Sequence, residues 1–469
     1  MAPRPITPEE TAHVDELVAR GRAALAAFAD ATQDQVDRLC QAVAWEVANE
    51  RTFTRLAHMG VEESGIGDPV SRVGKRMKVM GILRDVLRQK SIGVIDEMPE
   101  RGIVKYAKPV GLIASLVPTT NPELTPPGVG MFAIKCRDAV IFSPHPRSKR
   151  TTRATVELMR RALEREGAPA DLIQCLDKPS IPSAQYLMTR ADMVQATGGR
   201  DMVKAAYSSG TPAYGVGAGN STMVIDETAD VADAARNTAT SKTSDFGSGC
   251  SADGNLLVES SIYDAFRDCL VAEGGHLLAP GEAERLRAIY WDDEGHRTPD
   301  TIAVSAQQLA AKAGFEIAED RRFLISEQTE IGAHNPFSSE KLGVLLSLFR
   351  YDGFDEALRM VQAVYEVGGK GHSCGIYSFD DDHIDRLARL APVSRIMVRQ
   401  PQSKANAGSF TNGMPMTSSL GCGTWGGNIT SENIHLKHYM NTTWVSRPTA
   451  EDRPSEEELF GEFYGRPVD

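Results

Sequence analysis

Apolar and polar positions along the first part of the chain follow a helical period. Thr7-Pro8-Glu9-Glu10 opens one such segment with a capping box and a proline at the first helical position. Thr32-Gln33-Asp34-Gln35 repeats the box ahead of Val36, Leu39, Val43 and Val47, whose spacing lines one helical face. From about residue 110 the pattern changes. Short, continuous apolar runs at 111–117, 139–142, 172–176 and 193–196 alternate with helical stretches, one ending near Lys135 and another covering 151–166 before Gly167. Buried β-α units of this kind predict a parallel sheet covered on both faces. A second α/β region begins near Thr228, with a helix at 229–243 and strands at 255–258, 342–349, 375–379 and 395–398. Residues 278–320 read as charged, alanine-rich helix, 441–445 as a polar strand and 451–458 as a solvated end.

The 469 residues allow two or three domains with a large core. Lys and Arg number 51 against 63 Asp and Glu, a formal charge of −12. That balance argues against general binding to nucleic acid or an anionic membrane surface, without excluding a local basic pocket. The start Met1-Ala2-Pro3-Arg4-Pro5 lacks a signal-peptide run, and no stretch is long enough to span a bilayer. Seven scattered cysteines without a CxxC pair suggest neither a disulfide framework nor a zinc site. A cytoplasmic protein without a structural metal is expected.

Cys250 follows Gly247-Ser248-Gly249, just beyond the helix at 229–243. Small neighbours let the backbone turn and leave the sulfur open to a substrate, so a polar glycine-rich loop outweighs the alternative of a small core cysteine. Thr197-Gly198-Gly199 follows a strand and precedes a helix, an arrangement that offers backbone N–H groups to a diphosphate. Gly215-Val216-Gly217-Ala218-Gly219-Asn220 superficially resembles a dinucleotide fingerprint. A strand at 222–225 follows it instead of a helix, so it is expected to be a close-packed loop near the active site.

Pro118-Thr119-Thr120-Asn121-Pro122 ends the strand at 111–117, where Asn121 can either donate to an oxyanion or cap the next helix. Ser143-Pro144-His145-Pro146-Arg147-Ser148-Lys149-Arg150 places cations at another strand end, which favours a phosphorylated ligand over a solvated helical turn. Gly371-His372-Ser373 sets a histidine in a glycine loop, as an acid–base group or as a satisfied polar residue.

Taken in order, these runs resemble the aldehyde dehydrogenase superfamily, and more closely its CoA-acylating branch. Met202 to Gly210, Ile225 to Asp230, Ser241-Lys242-Thr243, Glu340-Lys341-Leu342, Gly421 to Asn428 and Ser431-Glu432-Asn433 extend the match over about residues 100–445. The resemblance implies a Rossmann-like cofactor domain within 1–227, including an arm near 93–106. It implies a catalytic α/β domain at 228–425 and a C-terminal return with an oligomerisation segment at 426–469. Cys250 would be the nucleophile and Asn121, with the Cys250 N–H, would hold the oxyanion. His372 matches the loop histidine of the family. Pro118, Thr119, Ser143, His145, Pro146, Arg147, Gly198, Gly199 and Gly217 would line the NAD(P)+ site, and Glu340 would meet the nicotinamide ribose.

One position selects the branch. Hydrolytic members carry a glutamate where this chain has Val216, so CoA, rather than water, is expected to release the acyl group. The departures fall around the cysteine, where Ser244 replaces an aromatic residue and Asp253 a glutamate. Residues 121–125 and 437–444 resemble acylating dehydrogenases of sulfoacetaldehyde, with succinate semialdehyde or a short aliphatic aldehyde as alternatives. An anionic substrate would need donors from Arg399, Lys404 or the polar loop before Cys250. A homodimer or homotetramer follows from the same likeness. A hydrolytic dehydrogenase, a non-redox acyltransferase and an inactive oligomeric scaffold are the competing readings.

Overall fold

The computed structural model describes residues 4–467. Helix Pro8–Ala27 starts at Thr7 and helix Gln33–Ala48 at Thr32, each with both halves of its capping box formed. In the second helix Val36, Leu39, Val43 and Val47 are buried, as their spacing requires.

The strands make three sheets. The first is a small antiparallel sheet of β1 (Val94–Met98), β2 (Ile103–Pro109) and, from the far end of the chain, β15 (Met440–Ser446). The second is wholly parallel: β3 (Leu112–Val117), β4 (Ala139–Pro144), β5 (Ile173–Cys175), β6 (Met193–Thr197) and β7 (Ala213–Val216), in the order β5-β4-β3-β6-β7. The third, also parallel, contains β8 (Thr222–Ile225), β9 (Asn255–Glu259), β10 (Gly275–Leu277), β11 (Phe323–Gln328), β12 (Leu345–Tyr351), β13 (Cys374–Tyr377) and β14 (Ile396–Val398). Its order is β10-β11-β12-β9-β8-β13-β14. The first buried cluster joins the N-terminal helices to the five-stranded sheet, and two others flank the seven-stranded sheet. The α/β class expected from the apolar runs is thus the one observed.

The chain passes from one parallel sheet to the other through residues 217–221. The stretch 278–320 is less helical than its composition suggests. It holds helices Pro280–Tyr290 and Ala306–Lys312, separated by a bridge between Trp291 and Arg297 and a turn at Pro299–Thr301. Tyr290 and Trp291 are buried where the first helix stops, so tertiary packing overrides local propensity. Among the described residues, no helix is long and apolar enough to cross a membrane.

Candidate active site

The ends of β3, β4 and β6 bring three of the expected runs to one edge of the five-stranded sheet. At the end of β3, Arg72 and Lys75 hold the turn that carries Asn121. Arg72 Nη2 and Lys75 Nζ both donate to Thr120 O, each at 2.7 Å. Lys75 Nζ also donates to Asn121 Oδ1 at 2.8 Å, which leaves the Asn121 NH2 group free of that contact. Below it, Arg72 Nε meets Glu123 Oε1 at 2.9 Å, both side chains being fully buried.

Lys75 reaches across to the cysteine loop as well. Its ammonium pairs with Asp245 Oδ2 at 2.7 Å, and Ser248 Oγ donates to the same carboxylate oxygen at 2.6 Å. The consecutive residues Asp245 and Phe246 both have φ of 49°, left-handed backbone that costs non-glycine residues about 1–3 kcal/mol each. The ion pair and the buried hydrogen bonds of Asp245 offset that cost and set the course of the loop into Cys250.

Cys250 is half-buried, and its Sγ lies 3.1 Å from His372 Nε2. The other imidazole nitrogen, Nδ1, is 2.9 Å from Ser373 Oγ, while Arg395 Nη1 donates to the His372 carbonyl at 2.8 Å. Burial, with the Arg395 charge added, pushes His372 down to about 3. Burial, with the Glu340 carboxylate added, pushes the Cys250 thiol up to about 12. The pair is therefore a neutral thiol against a neutral imidazole. Gly371 supplies the turn before His372: its φ is 84°, and a Cβ there would fall 1.7 Å from the Cys422 carbonyl.

The loop at 215–220 forms the wall beside the sulfur. A Cβ on Gly219 would lie 2.1 Å from the Cys250 carbonyl, so only glycine lets the backbones approach. Gly219 N donates to Glu340 Oε1 at 3.0 Å, and burial pushes this carboxyl up to about 7. Val216 is buried, and a Cβ on Gly217 would meet only the Gly426 carbonyl, at 3.9 Å.

The residues expected for the cofactor divide into two groups. Gly199 begins helix Arg200–Tyr207 without a side-chain cap, and nothing stands within 4 Å of where its Cβ would be. Backbone donors there are open to a diphosphate. Pro118, Thr119 and Ser143 lie at the ends of β3 and β4 on the same sheet edge. The cationic run is more occupied than its sequence suggests. His145 Nδ1 accepts from Arg147 N at 3.2 Å after Pro146 starts the turn, and Arg147 Nη2 donates to Ser64 O at 2.6 Å. Glu63 accepts from Arg150 N and Thr151 N, supplying negative charge at this helix start. Arg399 is also engaged elsewhere, bonded to Ser378 O and stacked over Phe379 at 4.4 Å.

The model of the aldehyde dehydrogenase family matches residues 6–282. The chain belongs to the aldehyde dehydrogenase family. It is 44% identical over 451 residues to a sulfoacetaldehyde dehydrogenase of an Acholeplasma species, covering 95% of this chain and 93% of that relative. Identity to an acylating sulfoacetaldehyde dehydrogenase of Bilophila wadsworthia is 40% over 456 residues, with coverage of 96% and 98%. An acetylating aldehyde dehydrogenase structure from Geobacillus thermoglucosidasius superposes with a TM-score of 0.91 at 33% identity, covering 95% of this chain and 99% of that one.

Lys75, Asp245 and the buried Arg72–Glu123 pair were not singled out from the sequence. Asp245 stands inside the cysteine loop, where a carboxylate five residues before a nucleophile is a usable signal. Lys75 lies in a run with Arg72, Arg76 and Lys78 that looks like a solvated helical face.

Proposed function

We propose that this dehydrogenase oxidises a small anionic aldehyde, with sulfoacetaldehyde the favoured substrate, using NAD(P)+ and CoA, and releases the acyl-CoA. The observation that carries this reading is the 3.1 Å contact of Cys250 Sγ with His372 Nε2, walled by a loop that holds buried Val216 and no carboxylate. Names of the relatives support the acylating reaction and the substrate.

Cys250 attacks the aldehyde carbon, and its S–C bond makes a thiohemiacetal. The Asn121 NH2 group and the Cys250 N–H serve the oxyanion, with Lys75 fixing which way the amide faces. In the unloaded site His372 is a weak base. A thiolate forming against it favours imidazolium, so proton acceptance by Nε2 and thiolate formation proceed together. NAD(P)+, when bound, would supply the acceptor for the hydride of the thiohemiacetal carbon. Glu340 and the uncapped start at Gly199 would hold the ribose and the diphosphate. After hydride transfer His372 releases the first proton to solvent. It then accepts the proton of the CoA thiol, whose sulfur attacks the Cys250 thioester, and returns it to the departing Cys250 sulfur, which regenerates the thiol. The small antiparallel sheet, with Trp444 exposed on β15, is proposed as the contact of a homodimer or a dimer of dimers.

One observation favours a second reading. Glu340 is held near the cysteine with its carboxyl pushed up to about 7, suited to activating a water. Turnover of aldehyde with NAD+ or NADP+, followed by absorbance of the reduced nicotinamide with and without CoA, separates the two. Dependence on CoA is expected, whereas sustained turnover without it would assign deacylation to water. Cys250→Ala is expected to abolish acyl-CoA formation while nucleotide binding survives.

A further inference from the structure

We infer that Lys404 and Ser244 form a subsite for the terminal oxyanion group of the substrate, a sulfonate or a carboxylate. The inference rests on the reading of Cys250 as the nucleophile. Lys404 Nζ donates to Ser244 Oγ at 2.6 Å, and Ser244 is the first residue of the loop that ends at Cys250. The next residue, Asp245, pairs with Lys75, whose ammonium holds Asn121. One chain of contacts therefore connects Lys404 to the amide that serves the oxyanion. Among the described residues Lys75 has a carboxylate partner and Lys404 has none. Lys404 keeps an exposed face, and desolvation of the rest, with the nearby Lys75 ammonium added, lowers its pKa more than Asp245 raises it. A second anion would relieve this crowding of positive charge.

The support beneath Lys404 is built from buried groups. It sits in the short helix Gln402–Ala405. Gln402, fully buried, donates from Nε2 to Asp253 Oδ1 at 2.7 Å and Thr222 O at 3.0 Å. Ser403 N donates to Ser241 Oγ at 3.1 Å. On the other side Lys78 Nζ donates to the carbonyls of Ala407 and Gly408. The Ser244 hydroxyl, which accepts from Lys404, carries a proton of its own to donate to an oxyanion. Lys404 brings the charge and three N–H donors.

The test compares wild type, Lys404→Gln and Lys404→Met on sulfoacetaldehyde, succinate semialdehyde and uncharged tert-butylacetaldehyde, each with CoA. Either variant is expected to lower kcat/KM for the anionic aldehydes about 10- to 100-fold, the loss of a charge-assisted hydrogen bond, and to leave the uncharged one unchanged or faster. The two anionic arms show whether sulfonate or carboxylate loses more. Equal losses on all three aldehydes, or none on any, would overturn the subsite. Binding of isethionate, the unreactive alcohol analogue, is measured by calorimetry on the same proteins. It is expected to weaken about 10- to 100-fold in the variants, and equal affinity would overturn the subsite. If wild type turns over no aldehyde, the Cys250 reading fails, and the isethionate comparison still decides the subsite.

Discussion

Lys75 holds the two halves of the candidate site together: its ammonium donates to Asn121 Oδ1 at 2.8 Å and pairs with Asp245 at 2.7 Å. Removing it frees the amide to rotate. Lys75→Met is expected to lower kcat by up to about 100-fold, approaching the loss of an oxyanion donor, while nucleotide affinity is kept. Because Lys75→Met also strands buried Asp245, the double variant with Asp245→Asn separates the effects. Tm should recover and kcat should stay low; recovery of both would make Lys75 structural only.

The neutral state of Cys250 has its own signature. A thiol pushed up to about 12 is protonated across the neutral range. Alkylation of the unliganded protein by iodoacetamide should therefore keep rising with pH through the alkaline range, because only the thiolate reacts. A plateau near pH 7 would reveal a thiolate–imidazolium pair instead.

Glu340 contributes to that suppression. Its carboxyl, pushed up to about 7, is neutral below that pH and negative above it. Only the negative form opposes a thiolate at Cys250. Glu340→Gln should accelerate alkylation above pH 7 and leave it nearly unchanged well below, and parallel profiles at all pH values would refute the coupling.

His372→Ala should slow acyl transfer about 100- to 10,000-fold, the range of a lost proton-transfer group. Rapid-quench measurement of nicotinamide reduction and acyl-CoA release tells which half-reaction carries the loss. Unchanged rates in both would reduce His372 to a packing residue.

The Arg72–Glu123 pair lies fully out of solvent beneath the Asn121 turn. Arg72→Met leaves a buried carboxylate without its partner, a change expected to cost about 3–5 kcal/mol in urea unfolding. A loss below about 1 kcal/mol would show that Glu123 finds another donor or a proton.

Continuous apolar runs made β3, β4, β6 and β9 legible, because burial on both faces leaves little room for polar residues. β7 and β11 were not: Ala213–Val216 is short and contains glycine, and Phe323–Gln328 ends in polar residues. Cys250 and His372 could each be read as loop residues suited to chemistry. Their contact could not, since 122 positions separate them and only the stacking order of the seven-stranded sheet closes that gap. Arg147 shows what a sequence leaves out. A cation at a strand end invites a phosphate, and the sequence gives no sign that one of its guanidinium nitrogens also donates to the Ser64 carbonyl.

The link at 217–221 has two jobs that cannot be separated. It is the covalent joint between the parallel sheets, and it also presses on the nucleophile: Gly219 against Cys250, and Ser221 Oγ donating to Ser251 O at 3.3 Å. A hinge is ordinarily placed away from the chemistry, so that motion leaves the reacting atoms undisturbed. Here residues 217–220 belong both to the joint and to the wall of the candidate site, so a change in the setting of one sheet against the other would bear directly on the sulfur.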